Sequence, residues 1–269
     1  MTEPFQQSNE AYLSLSPWLT IAPNLVAGIS TRNGGVSKIP YDTLNLGLHI
    51  PDEPKDVLTN RNILADHVGI PLKRWVVGEQ VHGTEAAVVS DKAAGMGTHS
   101  HQTALKGIDG LITNERNLLL TAFFADCVPL FFIAPDRGWI GIAHAGWKGT
   151  VGNMAAEMVE AFNKQGIHPD ELFAAVGPCI GKQAYEVDQN VVGKIDGYLK
   201  DQVVTPLNNG KFVLNLRELN RLLLLEAGIR KSALEVTGHC TYQDSNRFYS
   251  HRRDQGKTGR MLGFIGWAD

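Results

Sequence analysis

The stretch LLLTAFFADCVPLFFIAPDRGWIGIAHAGWKGT, residues 118–150, decides the fold. Residues 118–124 and 130–134 are short apolar runs, which read as strands buried on both faces. Pro135-Asp136-Arg137-Gly138 is a turn signal, so 130–134 and 139–143 pair as a hairpin. Beyond the glycines at 146 and 149 the period changes. Val151, Met154, Ala155, Met158, Val159 and Phe162 recur at helical spacing, which predicts a helix over 151–165 stopped by Gly166. Asp126 and Pro129 interrupt the apolar run 118–134, which is too short and too broken to span a bilayer.

The same alternation of strand and helix extends outward in both directions. Strand 26–31 ends at Asn33-Gly34-Gly35, and helix 52–67 is closed by Gly69. Strands follow at 86–90 and 110–112. Asn215 caps a helix over 216–227, with Glu218 at the capping-box position and Gly228 at its end. Strands 234–237 and 261–265 complete the pattern. The loop 95–107, rich in Gly, His, Ser and Thr, reads as mobile, and residues up to about 14 read as a loosely held tail. No repeat or linker divides the 269 residues, so the expectation is one α/β domain over 1–269 whose sheets are covered on both faces.

Composition narrows the function. Hydrophobic residues make up 43% of the chain and charged ones 20%, enough apolar material for a core. A formal net charge of -3 offers no basic surplus for a phosphate backbone or an anionic membrane, so neither nucleic acid nor membrane is an expected partner. Three cysteines, Cys127, Cys179 and Cys240, do not make a disulfide framework. Residues 1–10 lack the pattern of a signal peptide, and the expected location is the cytoplasm.

Reactive residues gather at strand ends, in Gln80-Val81-His82-Gly83, Ala125-Asp126-Cys127-Val128 and Ala143-His144-Ala145-Gly146-Trp147-Lys148. Counting back from the turn puts Cys127 opposite Gly146, two residues from His144, so the two meet at the open end of the hairpin. A thiolate and an imidazole there make either a nucleophile–base pair or part of a metal site, and His82 would complete a His2Cys set. A buried small cysteine beside satisfied core histidines fits the spacing equally. Asp126 is a candidate for orienting that set or moving a proton, although alternation from Cys127 turns it away.

Arg61 falls in the middle of the apolar face of helix 52–67, between Val57 and Leu64. It either points into a site and holds an anion, or snorkels, or pairs with a core carboxylate. Lys148 and Thr150 open a helix whose amides suit an anion, or simply form a turn. Residues 249–260, which include Arg252, are dense in cations and glycines: a lid over an anionic substrate, or a solvated surface. His99 and His101 read as solvent-exposed, and Cys179 and Cys240 as core.

Ordered along the chain, Thr31-Arg32-Asn33-Gly34-Gly35-Val36-Ser37, Leu44-Asn45-Leu46-Gly47, Gln80-Val81-His82-Gly83, Asp109-Gly110-Leu111-Ile112-Thr113, Ala125 to Leu130, Ala143 to Thr150, Gly177-Pro178-Cys179-Ile180-Gly181, Arg252-Arg253-Asp254 and Thr258-Gly259-Arg260 resemble the laccase-domain family of YfiH and YlmD. The resemblance covers about residues 31–265. It implies an α-β-β-α sandwich-like fold of mixed sheets. It implies a zinc site of His82, Cys127 and His144, with copper as the other metal the family is credited with. It implies a transferase, a purine nucleoside phosphorylase for adenosine, inosine and methylthioadenosine, with adenosine deaminase activity as a hydrolase. Nucleoside and phosphate are then the partners, with Asn45 and Gln80 on sugar or base, and Arg61, Lys148 and Arg252 on the anion. Relatives have also been described as copper-dependent polyphenol oxidases and as peptidoglycan-editing hydrolases, the latter chemistry open to Cys127 as nucleophile and His144 as base. Many relatives carry a cysteine pair before Tyr-Glu-Val where this chain has Gln183 and Ala184, so a catalytic thiol there is not expected.

Overall fold

The computed structural model describes residues 2–268. Two six-stranded sheets lie face to face. The first runs in the order Phe5–Gln7, Tyr12–Leu15, Leu25–Ser30, Met261–Trp267, Leu119–Phe124, Trp75–Val77. The second runs Leu234–Val236, Phe173–Val176, Val128–Ala134, Trp139–Ala145, Gly110–Thr113, Ala86–Val88. A small third sheet joins Glu186–Val187, Phe212–Leu214 and Val204–Pro206.

Alternation along the strands assigns every side chain to a layer. Leu120, Ala122 and Phe124 of the first sheet meet Phe131, Ile133, Ile140 and Ile142 of the second in the core between the sheets. Their neighbours Leu119 and Phe123 point outward, onto Leu64, Ala65 and Val68 of helix Pro54–Val68. Leu130 and Phe132 point outward from the other sheet, onto helices Met154–Asn163 and Leu216–Glu226. The layers are therefore helix, sheet, sheet, helix, the expected α-β-β-α arrangement, and both sheets mix parallel and antiparallel pairs.

The hairpin register is the one counted from the turn: Ala134 faces Trp139 and Val128 faces Ala145. Gly69 closes helix Pro54–Val68 in the left-handed conformation (φ 73°), and Asn215 accepts the Glu218 amide at 3.2 Å. The Glu218 side chain does not complete the box; it holds Arg221 instead.

Three expectations need correction. The helix expected over 151–165 is broken: Trp147–Val151 is a first short helix, and Asn153, left-handed at φ 64°, caps a new one at Met154. The N-terminal residues are not a loose tail. Phe5 and Leu13 are fully buried in the core between the sheets, and Glu3 accepts from Thr237 Oγ1 and the Gly238 amide, both at 2.6 Å. The loop 95–107 is tied down by its backbone, with Thr98 fully buried, because Arg61 reaches its carbonyls. Among the described residues no helix is long and apolar enough to cross a membrane.

Candidate metal centre

Three chain segments deliver the site. Cys127 sits in the three-residue crossing from strand Leu119–Phe124 of one sheet to Val128–Ala134 of the other. His144 faces Pro129 one step before the end of strand Trp139–Ala145, so it shares a face with Cys127. His82 comes from the loop after Trp75–Val77. That loop and the crossing carry positive φ at Gln80 (59°), His82 (62°) and Asp126 (94°), conformations that side-chain-bearing residues adopt only when their surroundings hold them there.

One donor atom each of His82, Cys127 and His144 lies within 4.8 Å of the others. The two imidazoles stand edge-on, 4.7 Å between centroids. A Cβ added to Gly146 would lie 2.9 Å from His82 Cδ2 and 3.0 Å from Cys127 Sγ, so only glycine lets the hairpin end approach the site this closely.

Asp109 holds both histidines. Its carboxylate accepts the amides of Val81 (3.0 Å), His82 (3.1 Å) and Gly83 (2.8 Å), and its Oδ1 lies 2.9 Å from His144 Nδ1. A carboxylate in that position accepts, so Nδ1 carries the proton and Nε2 turns to the site. A carboxylate–histidine pair of this kind orients the ligands of known metal sites. Burial alone would raise the Cys127 thiol, but the charge and hydrogen bonds of His144, with His82 helping, outweigh it and hold the group at about 6. Burial likewise works against charge on His144, yet Cys127 and Asp109 push it up to about 9. Both shifts run in the direction of a thiolate–imidazolium pair when no metal is bound. Two nitrogens and a thiolate, with a cavity over them, fit zinc with an open position and also suit copper.

The centre lies in a cavity of about 480 Å³. Its lining includes the rings of His49, His101, Phe123, Trp147 and Tyr185 and the guanidinium-bearing Arg252 and Arg260. Burial and the charge of Arg260 hold His49 at about 3, so it is neutral near pH 7. Burial and the neighbouring Cys127 push the Tyr185 phenol up, so it too stays protonated.

The sequence-derived candidates divide sharply. His82, Cys127 and His144 converge. Gln80 borders the cavity, but its amide is committed to Phe123, donating to the carbonyl at 2.8 Å and accepting from the amide at 2.7 Å. Arg252 lines the cavity, stacked 5.2 Å over Tyr185. Asn45, Arg61 and Lys148 are not in the cavity wall. Asn45 is fully buried, with its amide on Asp52 and its oxygen taken by the Gly47 and Arg260 amides. Arg61 is 1% exposed and donates to the carbonyls of Leu46, Gly97 and Thr98, so the partner of this buried-face cation is loop backbone, not an anion. Lys148 is exposed, its ammonium over the Trp147 ring.

Asp109, His49, Tyr185 and Arg260 were not singled out from the residues, although Asp109 and Arg260 stand in the quoted motifs. An acidic residue opening an apolar strand was the available signal for Asp109. His101, expected in solvent, stands in the wall 5.5 Å from His49.

The family described as multi-copper polyphenol oxidoreductase laccase matches residues 26–268. The chain belongs to this family. It is 41% identical over 272 residues to the purine nucleoside phosphorylase YlmD of Bacillus subtilis, covering 99% of this chain and 98% of the relative. Identity is 43% over 273 residues to the YlmD of Geobacillus stearothermophilus, also named a purine nucleoside phosphorylase, again covering 99% and 98%. The crystal structure of YlmD from Geobacillus stearothermophilus superposes with a TM-score of 0.94 at 41% identity, covering 100% of both chains. The fold and the family expected from the motifs are thus those found.

Proposed function

We propose that the protein is a zinc-dependent purine nucleoside phosphorylase, taking adenosine, inosine and methylthioadenosine with inorganic phosphate, and that it also deaminates adenosine in the cytoplasm. The observation that carries this reading is a His2Cys cluster lining a cavity together with aromatic rings and arginines, in a chain similar along its length to named purine nucleoside phosphorylases. His144 would bind through Nε2, with Cys127 as thiolate and His82 through a ring nitrogen. Zinc, when bound, supplies a Lewis acid with an open position. Asp109 holds the His144 proton at Nδ1 and fixes the loop that carries His82. Trp147 and Tyr185 offer faces to a purine ring. Arg252 and Arg260 bring positive charge for phosphate, whose oxygen bonds to the anomeric carbon as the base leaves with the glycosidic electron pair.

One observation favours a second reading. Cys127, His144 and Asp109 also form a thiol–imidazole–carboxylate series, the arrangement of a cysteine hydrolase. Metal analysis joined to adenosine and inosine turnover, with and without phosphate, separates the two. Near-stoichiometric zinc with phosphate-dependent base release, lost in Cys127→Ala, supports the phosphorylase. A chelator-indifferent reaction blocked by alkylation of Cys127 supports the hydrolase. Copper with phenol-dependent oxygen uptake would overturn both.

A further inference from the structure

Asp126 immediately precedes the thiolate ligand, yet its carboxylate serves a different part of the cavity. It is 8% exposed and accepts from Thr241 Oγ1 at 2.6 Å, Ser250 Oγ at 3.0 Å and the Arg252 amide at 2.7 Å. Its carbonyl takes the Ile180 amide at 3.0 Å. Residues 241–253 are then locked together. Arg253 donates its amide to Ser250 Oγ at 3.1 Å and its guanidinium to the carbonyls of Thr241 (2.8 Å) and Phe248 (2.9 Å). Arg252 is the cation that this locked segment sends into the cavity wall. Its guanidinium is set over Tyr185 and donates to the Glu186 carbonyl at 2.8 Å.

We infer that Asp126 is a positioning residue that sets Arg252 relative to Cys127, and so fixes where the cavity holds phosphate relative to the metal centre. The inference rests on the phosphorylase reading for the identity of the anion. The three donors explain the geometry. A left-handed aspartate is unfavourable on its own, and a buried carboxylate is costly unless it is satisfied. Both costs are met by bonds to the segment that carries Arg252. The Arg252 amide can only donate, so position 126 must present an acceptor there, whereas the Thr241 and Ser250 hydroxyls can reverse their roles. An asparagine oxygen can serve the Arg252 amide while its NH2 group donates to Thr241 Oγ1. Alanine supplies neither contact.

The test compares Asp126→Ala, Asp126→Asn and Ser250→Ala in the zinc-loaded full-length protein. KM for phosphate, KM for inosine, zinc content and the shift in melting temperature caused by inorganic phosphate are read together. Asp126→Ala is expected to raise the phosphate KM about ten-fold, with inosine KM and zinc content held. Asp126→Asn recovers most of that loss, and Ser250→Ala, a gentler change should Asp126→Ala fail to fold, falls between. In an Arg252→Ala background the Asp126 effect disappears. Abolition of kcat by Asp126→Asn with zinc retained would make the residue a proton-transfer group and overturn the inference. So would an unchanged phosphate KM in Ser250→Ala and Asp126→Ala, or full additivity with Arg252→Ala. A wild-type protein stabilised by phosphate but inert toward nucleosides would refute the phosphorylase reading alone, the melting shifts of the variants still deciding the role of Asp126. A wild-type protein indifferent to phosphate in both measurements would refute both.

Discussion

Asp109 accepts three amides of the His82 loop and the Nδ1–H of His144, so a single carboxylate orients two of the three residues that could hold a metal. Asp109→Asn keeps the shape but puts an NH2 group against donors. It is expected to weaken zinc binding by roughly 10–100-fold, measured by competition with a chromogenic chelator; affinity within two-fold of wild type would refute the role. The Cys127 thiol gives the pH prediction. In the metal-free protein its alkylation rate should be flat above about pH 6 and fall as the thiolate protonates below it. His144→Ala removes the chief lowering influence and leaves burial, so the midpoint should move above that of an ordinary thiol. A midpoint unmoved by that change would sink the ion-pair assignment. At this scale the meeting of Cys127 and His144 was legible in the sequence because hairpin register is arithmetic: two strands and a turn fix who faces whom, whereas His82 arrives on a separate loop. The partners of Asn45 and Arg61 were not legible, because a polar residue in an apolar pattern shows only that it needs one. Whether that partner is a ligand or a backbone carbonyl is decided by loops such as 95–98, which carry no period.

At the scale of elements, caps and periods carried most of the information. Gly69 and Asn215 end or begin helices where their chemistry demands it. The break at Gly152-Asn153 was hidden because Val151 and Met154 keep the helical spacing across it. Asn153 sits left-handed and accepts the Ala156 amide at 3.2 Å. Asn153→Ala is therefore expected to cost about 2 kcal/mol from the lost cap and the strained φ, seen as a lower midpoint in urea with zinc stoichiometry unchanged. No loss of stability would mean that the two helices can fuse. The short strands Phe5–Gln7, Trp75–Val77 and Glu186–Val187 escaped the pattern, since two or three residues are too few to show an alternation.

For the molecule as a whole, stability resides in the layer between the sheets, and the N-terminal strand belongs to that layer. Phe5 is fully buried, 5.6 Å from the Phe131 ring of the opposite sheet. Phe5→Ala should cost about 3–5 kcal/mol, and a denaturation curve superposing on wild type would show that this strand is dispensable. Layer order followed from residues apolar on both strand faces, but pairing between distant strands did not, because nothing local in a strand names its neighbour. That non-local pairing bears on how the protein is made. Strand Met261–Trp267 lies between Leu25–Ser30 and Leu119–Phe124, so the first sheet stays split until it is added. His82, Cys127 and His144 all leave the ribosome long before that strand exists. On the zinc reading, lasting metal capture is then expected after that strand closes the sheet, rather than as a seed for folding. A chain ended at residue 255 should lose zinc on gel filtration while the full chain retains it; equal retention would show that the ligands assemble without the sheet.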